Sequence, residues 1–173
     1  MNKINFKEIF SYVFIILFII IVRIFVVTPV RVDGSSMFPT LHDNDILLLK
    51  KFDKSIDRFD VVVIKYDKSK LVKRVIGLPG ERIKISITKV GNNYVSKILI
   101  NGEVLSEEYG KSYMMDAGIA SNEIILGNDE YFVLGDNRNN STDSRIIGVI
   151  KKKNILGVTD LRIFPFNRIG KFN

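Results

Sequence analysis

Cysteine is absent from all 173 residues. That removes thiol catalysis, disulfides and thiolate metal sites at once, and leaves the redox compartment open. Histidine is nearly absent: His42 is the single copy, so no multi-histidine zinc or iron centre can be built. A serine–histidine arrangement would exist only if His42 fell beside the serine. Acidic residues are the minority charge, 19 against 26 Lys and Arg, for a net +7. This reads as a lysine-biased surface, because no signature of DNA or RNA reading accompanies it. Internal repeats and low-complexity tracts are missing too. The length suits one domain, with room for a small insertion.

What stands out first is residues 9–27, IFSYVFIILFIIIVRIFVV, 19 residues with one charge, Arg23. At about 1.5 Å per residue a helix of that length spans nearly 30 Å, the thickness of a bilayer's hydrocarbon core. Arg23 is one turn from the end, where its stem reaches the interface. A cleavable leader would need a small-x-small site, and Arg23-IFVVTPVRVDG offers none, so the segment reads as a retained transmembrane helix. Lys3 and Lys7 in the tail, residues 1–8, place that tail on the inside and the rest of the chain outside. The basic excess suits a nearby anionic bilayer surface.

Beyond the helix, short β-branched runs separated by turn residues predict a mostly β domain built on antiparallel sheet. Strands are expected at 29–32, 45–50, 61–66, 71–76, 82–88, 94–100, 103–105, 131–134 and 157–163. Asn101-Gly102 marks a type I′ hairpin, and Leu78-Pro79-Gly80-Glu81 a type II turn. Residues 83–128 are richer in Lys, Ser, Asn and hairpin signals. They read as a smaller inserted β subdomain within a core of 29–82 and 129–165.

Three segments carry chemistry. VDGSSMFPTL, residues 32–41, holds two adjacent serines in a turn. A serine hydroxyl needs a base, and a base must be neutral to accept its proton. Lysine at its ordinary pKa is only about 0.04% neutral at pH 7, so a lysine base must be buried among apolar side chains. In LVKRVIGLPGE, residues 71–81, Lys73 shares a strand face with Leu71 and Val75, while Arg74 shares the other with Val72 and Ile76. Both faces are aliphatic, so the pattern does not decide which cation points inward; a sheet-edge lysine that discourages aggregation is the alternative. The third segment, GDNRNNSTDSRIIG, residues 135–148, is a turn-rich loop after the strand YFVL. It fails the calcium-loop pattern, with Arg138 at the third position and Ile147 at the twelfth. It does offer the Ser141 hydroxyl and an Asp143/Arg145 pair able to brace each other.

Taken together, SSMFPTL, FDVVV, KRVIGLPGE and GDNRNNSTDSR, in that order behind a hydrophobic segment, resemble the bacterial type I signal peptidases. The resemblance runs from the anchor to about Arg162. It implies Ser36, the serine before Met, as nucleophile and Lys73 as general base, with Ser141 orienting the amine. It implies Met37, Leu41, Leu71 and Val72 along the substrate groove, and Asp60, Asp143 and Arg145 as structural support. Where the family often has Asp, Pro or Gly, and a hydroxyl residue, this chain has Asn139, Ser35 and Gly34. The expected activity is removal of signal peptides from exported preproteins, by a single-pass enzyme of the bacterial cell membrane with its catalytic domain outside. The partners are then the signal peptide and the lipid bilayer, with no nucleic acid, metal or cofactor, and the oligomeric state is left open. Two other readings fit the same segments: a specialised Ser-Lys maturase of pilin or conjugation type, and a catalytically silent membrane-tethered β module.

Overall fold

The computed structural model describes residues 6–25, 27–51, 55–110 and 113–172. Most of the expected tail, residues 1–5, lies outside these residues, as does residue 26 of the expected span. Helix α1, Phe6–Phe25, opens the chain. From Phe6 to Ile20 every side chain is exposed, including Phe10, Tyr12 and Val13, which point to different sides of the helix. Such a helix has no soluble core to pack on. Among the described residues, no helix is long and apolar enough to cross a membrane.

The strands follow as β1 (Val27–Arg31), β2 (Ile46–Lys50), β3 (Val61–Tyr66) and β4 (Ser69–Gly77). Next come β5 (Arg82–Val90), β6 (Asn93–Ile100), β7 (Glu103–Val104) and β8 (Ile124–Ile125). Last are β9 (Glu130–Leu134), helix α2 (Ser144–Ile147), β10 (Ile150–Lys151), β11 (Ile155–Thr159), β12 (Leu161–Phe164) and β13 (Gly170–Lys171). All pairings are antiparallel. Nine strands form the large sheet, in the order β10-β9-β4-β3-β11-β2-β12-β13 with β1 on β2, and β7-β6-β5-β8 form a small one.

The run Val61 to Ile64 is buried at every residue, because β3 and β4 lie between two cores. One core holds Val30, Met37, Leu41, Leu47, Val63 and Val72. The other holds Val62, Ile64, Val75, Tyr131 and Val133, with Leu71 against it. Lys73 and Arg74 fall mid-strand between these cores. The small sheet packs Ile83, Ile85, Ile98 and Ile100 against Ile76 of β4 and Phe132 and Leu134 of β9. At roughly 2 kcal/mol for each fully buried aliphatic side chain, that contact seats the small sheet beside the two strands that carry the site.

Two turns match their sequence signals. Asn101 and Gly102 both take positive φ between β6 and β7, and Gly80, at φ +81, closes a turn in which the Glu81 amide donates to the Leu78 carbonyl. The expected strand at 157–163 is two strands, β11 and β12, separated by Asp160. The two-residue strands β8, β10 and β13 and the single-turn α2 are too short to leave a period in sequence.

Beside the loop that joins β1 to β2, pairing leaves an open edge on each of β1 and β4. β9 joins β4 only from Arg74 onward, so Ser69 to Lys73 are paired on one side, to β3. β1 pairs with β2 alone. Between these edges lies a cavity of about 640 Å³ lined by Pro29, Val30, Arg31, Ser69, Lys70 and Leu71.

Candidate active site

The serine loop joins β1 to β2 and is tied at both ends. The Val32 amide donates to the Asp45 carbonyl, and the Asn44 amide donates to the Val32 carbonyl. Gly34 sits at φ +85, in the left-handed region that favours glycine, which is a backbone reason for the missing hydroxyl there. Its amide donates to Asp43 at 2.7 Å. Met37 and Leu41, 1% and 0% exposed, plug the loop into the core below and leave Ser36 half-buried at the surface.

Lys73 reaches that serine from β4: its Nζ is 2.7 Å from Ser36 Oγ and donates to the Val72 carbonyl at 3.0 Å. Burial lowers its pKa from 10.5 to about 8, against the opposing pull of the Asp143 and Asp136 charges. Those acids pull weakly because each is already matched by a guanidinium. Arg74 donates from Nε and Nη2 to the two oxygens of Asp136. It gives Nη1 to the Phe59 carbonyl and lies over the Tyr109 ring at 3.5 Å. Both cations of the Lys-Arg pair are therefore buried, and their partners separate them. Arg74 meets a carboxylate, whereas Lys73 meets a hydroxyl.

The third segment clamps the serine loop from above. The Asn137 amide donates to the Ser36 carbonyl at 3.0 Å, and its side chain donates to the Ser35 carbonyl. Asn140 donates to Ser35 Oγ. Gly135 lets these chains meet: a Cβ there would lie 2.2 Å from Ser141 Oγ and 2.5 Å from the Ser36 carbonyl oxygen. Asp143 and Arg145 form a two-point ion pair, and Asp143 also accepts the Gly135 amide. Burial pushes the Asp143 carboxyl up, but the Arg145 hydrogen bond and charge, the Gly135 amide and nearby Ser141 outweigh it and hold it below its ordinary range. Arg145 further donates to the Arg138 and Asp116 carbonyls.

Not every expected position has the expected surroundings. Ser141 shares the cavity with Lys73, but its Oγ is buried without a hydrogen-bond partner; the Val72 carbonyl holds the amine instead. A cavity of about 550 Å³ opens over Ser36 and Lys73, walled by Gly34, Leu71, Asn140 and Ile146. Of the four expected groove residues, Leu71 alone lines it. Met37, Leu41 and Val72 belong to the core beneath: the turn after Ser36 rolls Met37 and Leu41 inward, and strand alternation along β4 does the same for Val72. Asp60 accepts the Asp57 amide, and its carbonyl accepts the Val75 amide, fixing β4 just past Lys73. His42 lies edge-on to Phe38, with Arg168 at its Nδ1; its ring nitrogen is thus engaged away from the dyad. Sequence reasoning missed Asp136, which anchors Arg74 and accepts the Thr40 hydroxyl. It also missed Asn137. The signal for both was the density of side-chain acceptors and donors in one short loop.

A hydroxyl held against a partly neutral amine, at the rim of an open groove, is the equipment of a nucleophilic hydrolase. Comparison makes the class specific. A family model described as signal peptidase, peptidase S26, matches residues 6–164. Signal peptidase I P of Bacillus subtilis subsp. natto is 38% identical over 162 residues, covering 89% of this chain and 86% of that one. Signal peptidase I S of Bacillus subtilis strain 168 is 34% identical over 166 residues, covering 89% and 86%. A crystal structure of a signal peptidase I from Enterococcus faecalis V583 is 29% identical, with a TM-score of 0.46, covering 60% of this chain and 96% of that one. The chain belongs to the signal peptidase family, peptidase S26, and is an enzyme of the signal peptidase I type.

Proposed function

We propose that this enzyme is a membrane-anchored serine endopeptidase that removes signal peptides from exported preproteins through a Ser36–Lys73 dyad. The observation that carries the reading is the 2.7 Å contact between Lys73 Nζ and Ser36 Oγ, made by an amine whose pKa is lowered to about 8. At pH 7 such an amine is neutral roughly a tenth of the time, against well under a thousandth for an ordinary lysine.

The neutral amine accepts the Ser36 proton as Oγ attacks the scissile carbonyl carbon. Negative charge moves to the carbonyl oxygen, where the Ser36 backbone N–H is the donor this reading assigns. As the C–N bond breaks, the ammonium returns the proton to the leaving nitrogen, leaving an ester on Ser36. Lys73 then takes a proton from water, whose oxygen attacks the ester carbon; the C–Oγ bond breaks and the ammonium returns the proton to Ser36 Oγ, freeing the serine and leaving the amine neutral. Asp60, Asp143 and Arg145 hold the backbones that carry the dyad, and Ser141 has an unused hydroxyl beside the amine.

An extended peptide fits the open edges of β1 and β4, which offer main-chain partners on both sides, with Leu71 at the junction of the two cavities. Residues 9–27 keep the enzyme in the bacterial cell membrane as a single pass, tail inside and catalytic domain outside. There it meets a cleavage site emerging from the same bilayer at high effective concentration. The test is cleavage of a preprotein in detergent by wild type, Ser36→Ala and Lys73→Ala, with the cut position read by mass spectrometry. Cleavage by wild type at the signal-peptide boundary, and by neither variant, is expected. An uncut preprotein with wild type, or normal cutting by Lys73→Ala, overturns the reading.

A further inference from the structure

The end of the large sheet nearest α1 carries a second cavity. Val27, two residues past the helix, pairs with Lys50 at the last position of β2. β11 runs antiparallel to β2 with Val158 opposite Lys50, so Ile155 to Gly157 extend past the same end. There a cavity of about 300 Å³ is lined by Lys51, Lys152 and Lys153 over a floor of Ile56, Ile155 and Leu156. Gly157 closes its base: a Cβ there would come within 2.2 Å of the Lys50 carbonyl oxygen.

Charge and shape both limit the occupant. Among the described residues the lining has three lysines and no acid, and the neighbouring Asp160 is engaged by Lys50 at 2.7 Å. Lys152 and Lys153 stand on a 3₁₀ turn, Lys152–Asn154, pinned by a 2.7 Å bond from the Lys152 amide to the Asp129 carbonyl. A rim of ammonium groups over an aliphatic floor matches a phosphodiester joined to a glycerol and the first acyl carbons. We infer that this cavity binds the phosphate of an anionic phospholipid headgroup at the anchored end of the domain. The inference rests on the anchor reading, since only a domain tethered there meets lipid at that end. Two attachments, helix and headgroup, then set the domain's tilt and the direction its groove faces.

The test uses the full chain in mild detergent, titrated with phosphatidylglycerol or phosphatidylcholine and followed by native mass spectrometry. Each lysine at an anionic surface is worth about fivefold in binding, so Lys152→Gln/Lys153→Gln should lose phosphatidylglycerol adducts by about twenty-fivefold. Lys84→Gln/Lys89→Gln, the same charge loss on β5, should keep them. Retention by the first variant, or equal loss by the second, overturns the site. Displacement by 10 mM inorganic phosphate would make it a free-phosphate site and overturn the lipid assignment. Flotation with phosphatidylcholine vesicles after a carbonate wash separates the two readings. If the wild type floats but shows no lipid selectivity, this inference falls and the anchor stands; if it does not float, the anchor falls and takes this inference with it.

Discussion

Lys73 is held where a charge is unwelcome, and the fold should be measurably weaker for it. Its pKa falls from 10.5 to about 8, so below pH 8 the native state must protonate an amine that burial disfavours. Between pH 8 and 10.5 the unfolded chain binds more protons than the folded one, so stability rises with pH across that window. At pH 7 the penalty is about 3 kcal/mol, and at pH 10 it is below about 1 kcal/mol. Lys73→Met keeps most of the aliphatic stem and removes the amine, losing the contacts to Ser36 and Val72, roughly 1 kcal/mol net. The variant should therefore be inactive yet about 2 kcal/mol more stable at pH 7, with the gap gone near pH 10. Guanidinium unfolding midpoints of the full chain in mild detergent at pH 7, 8.5 and 10 measure this. A methionine variant that is less stable at pH 7, or a gap unchanged across the three pH values, refutes the buried-amine argument.

The rate of preprotein cleavage should rise about tenfold per pH unit below pH 8 and flatten above it, because only neutral Lys73 accepts the serine proton; a flat profile from pH 6 to 9 contradicts that. Gly135→Ala should lower kcat by at least about a hundredfold and cost roughly 1–3 kcal/mol of overpacking, read by kinetics and denaturation. Adding Ser141→Ala should not rescue it, because the Ser36 carbonyl still clashes. Arg74→Met leaves Asp136 buried without its cation and should cost about 3–5 kcal/mol, much of it recovered by adding Asp136→Asn. Ser141→Ala removes a hydroxyl that makes no well-formed hydrogen bond and only lies near the Asp143 carboxylate, so stability should change by no more than about 1 kcal/mol. If the hydroxyl orients Lys73 during turnover, the rising limb of the rate profile, which reports the Lys73 amine, should move.

Local pattern carried the strands well where they are long. Residues 61–66 match β3 at both ends, since four consecutive buried β-branched residues have few other conformations open to them. The split of 157–163 at Asp160 was not visible, because nothing local announces that the chain leaves β3 and takes up β13 while staying beside β2. The site was legible as three segments but not as a contact. The Leu-Val-Lys-Arg-Val pattern leaves both cations equivalent, and what separates them is Asp136, 62 residues further on. Met37 and Leu41 show the reverse error: they flank the serine in sequence, yet the turn that presents Ser36 outward is the one that sends them inward.

Both acids that act on Lys73 form internal zwitterions with arginines, Asp136 with Arg74 and Asp143 with Arg145, and all four side chains are nearly dry. Dissolved ions screen such couples poorly. The proton threshold of the amine is consequently a property of the interior, and changing the salinity around the enzyme should leave that threshold where it is.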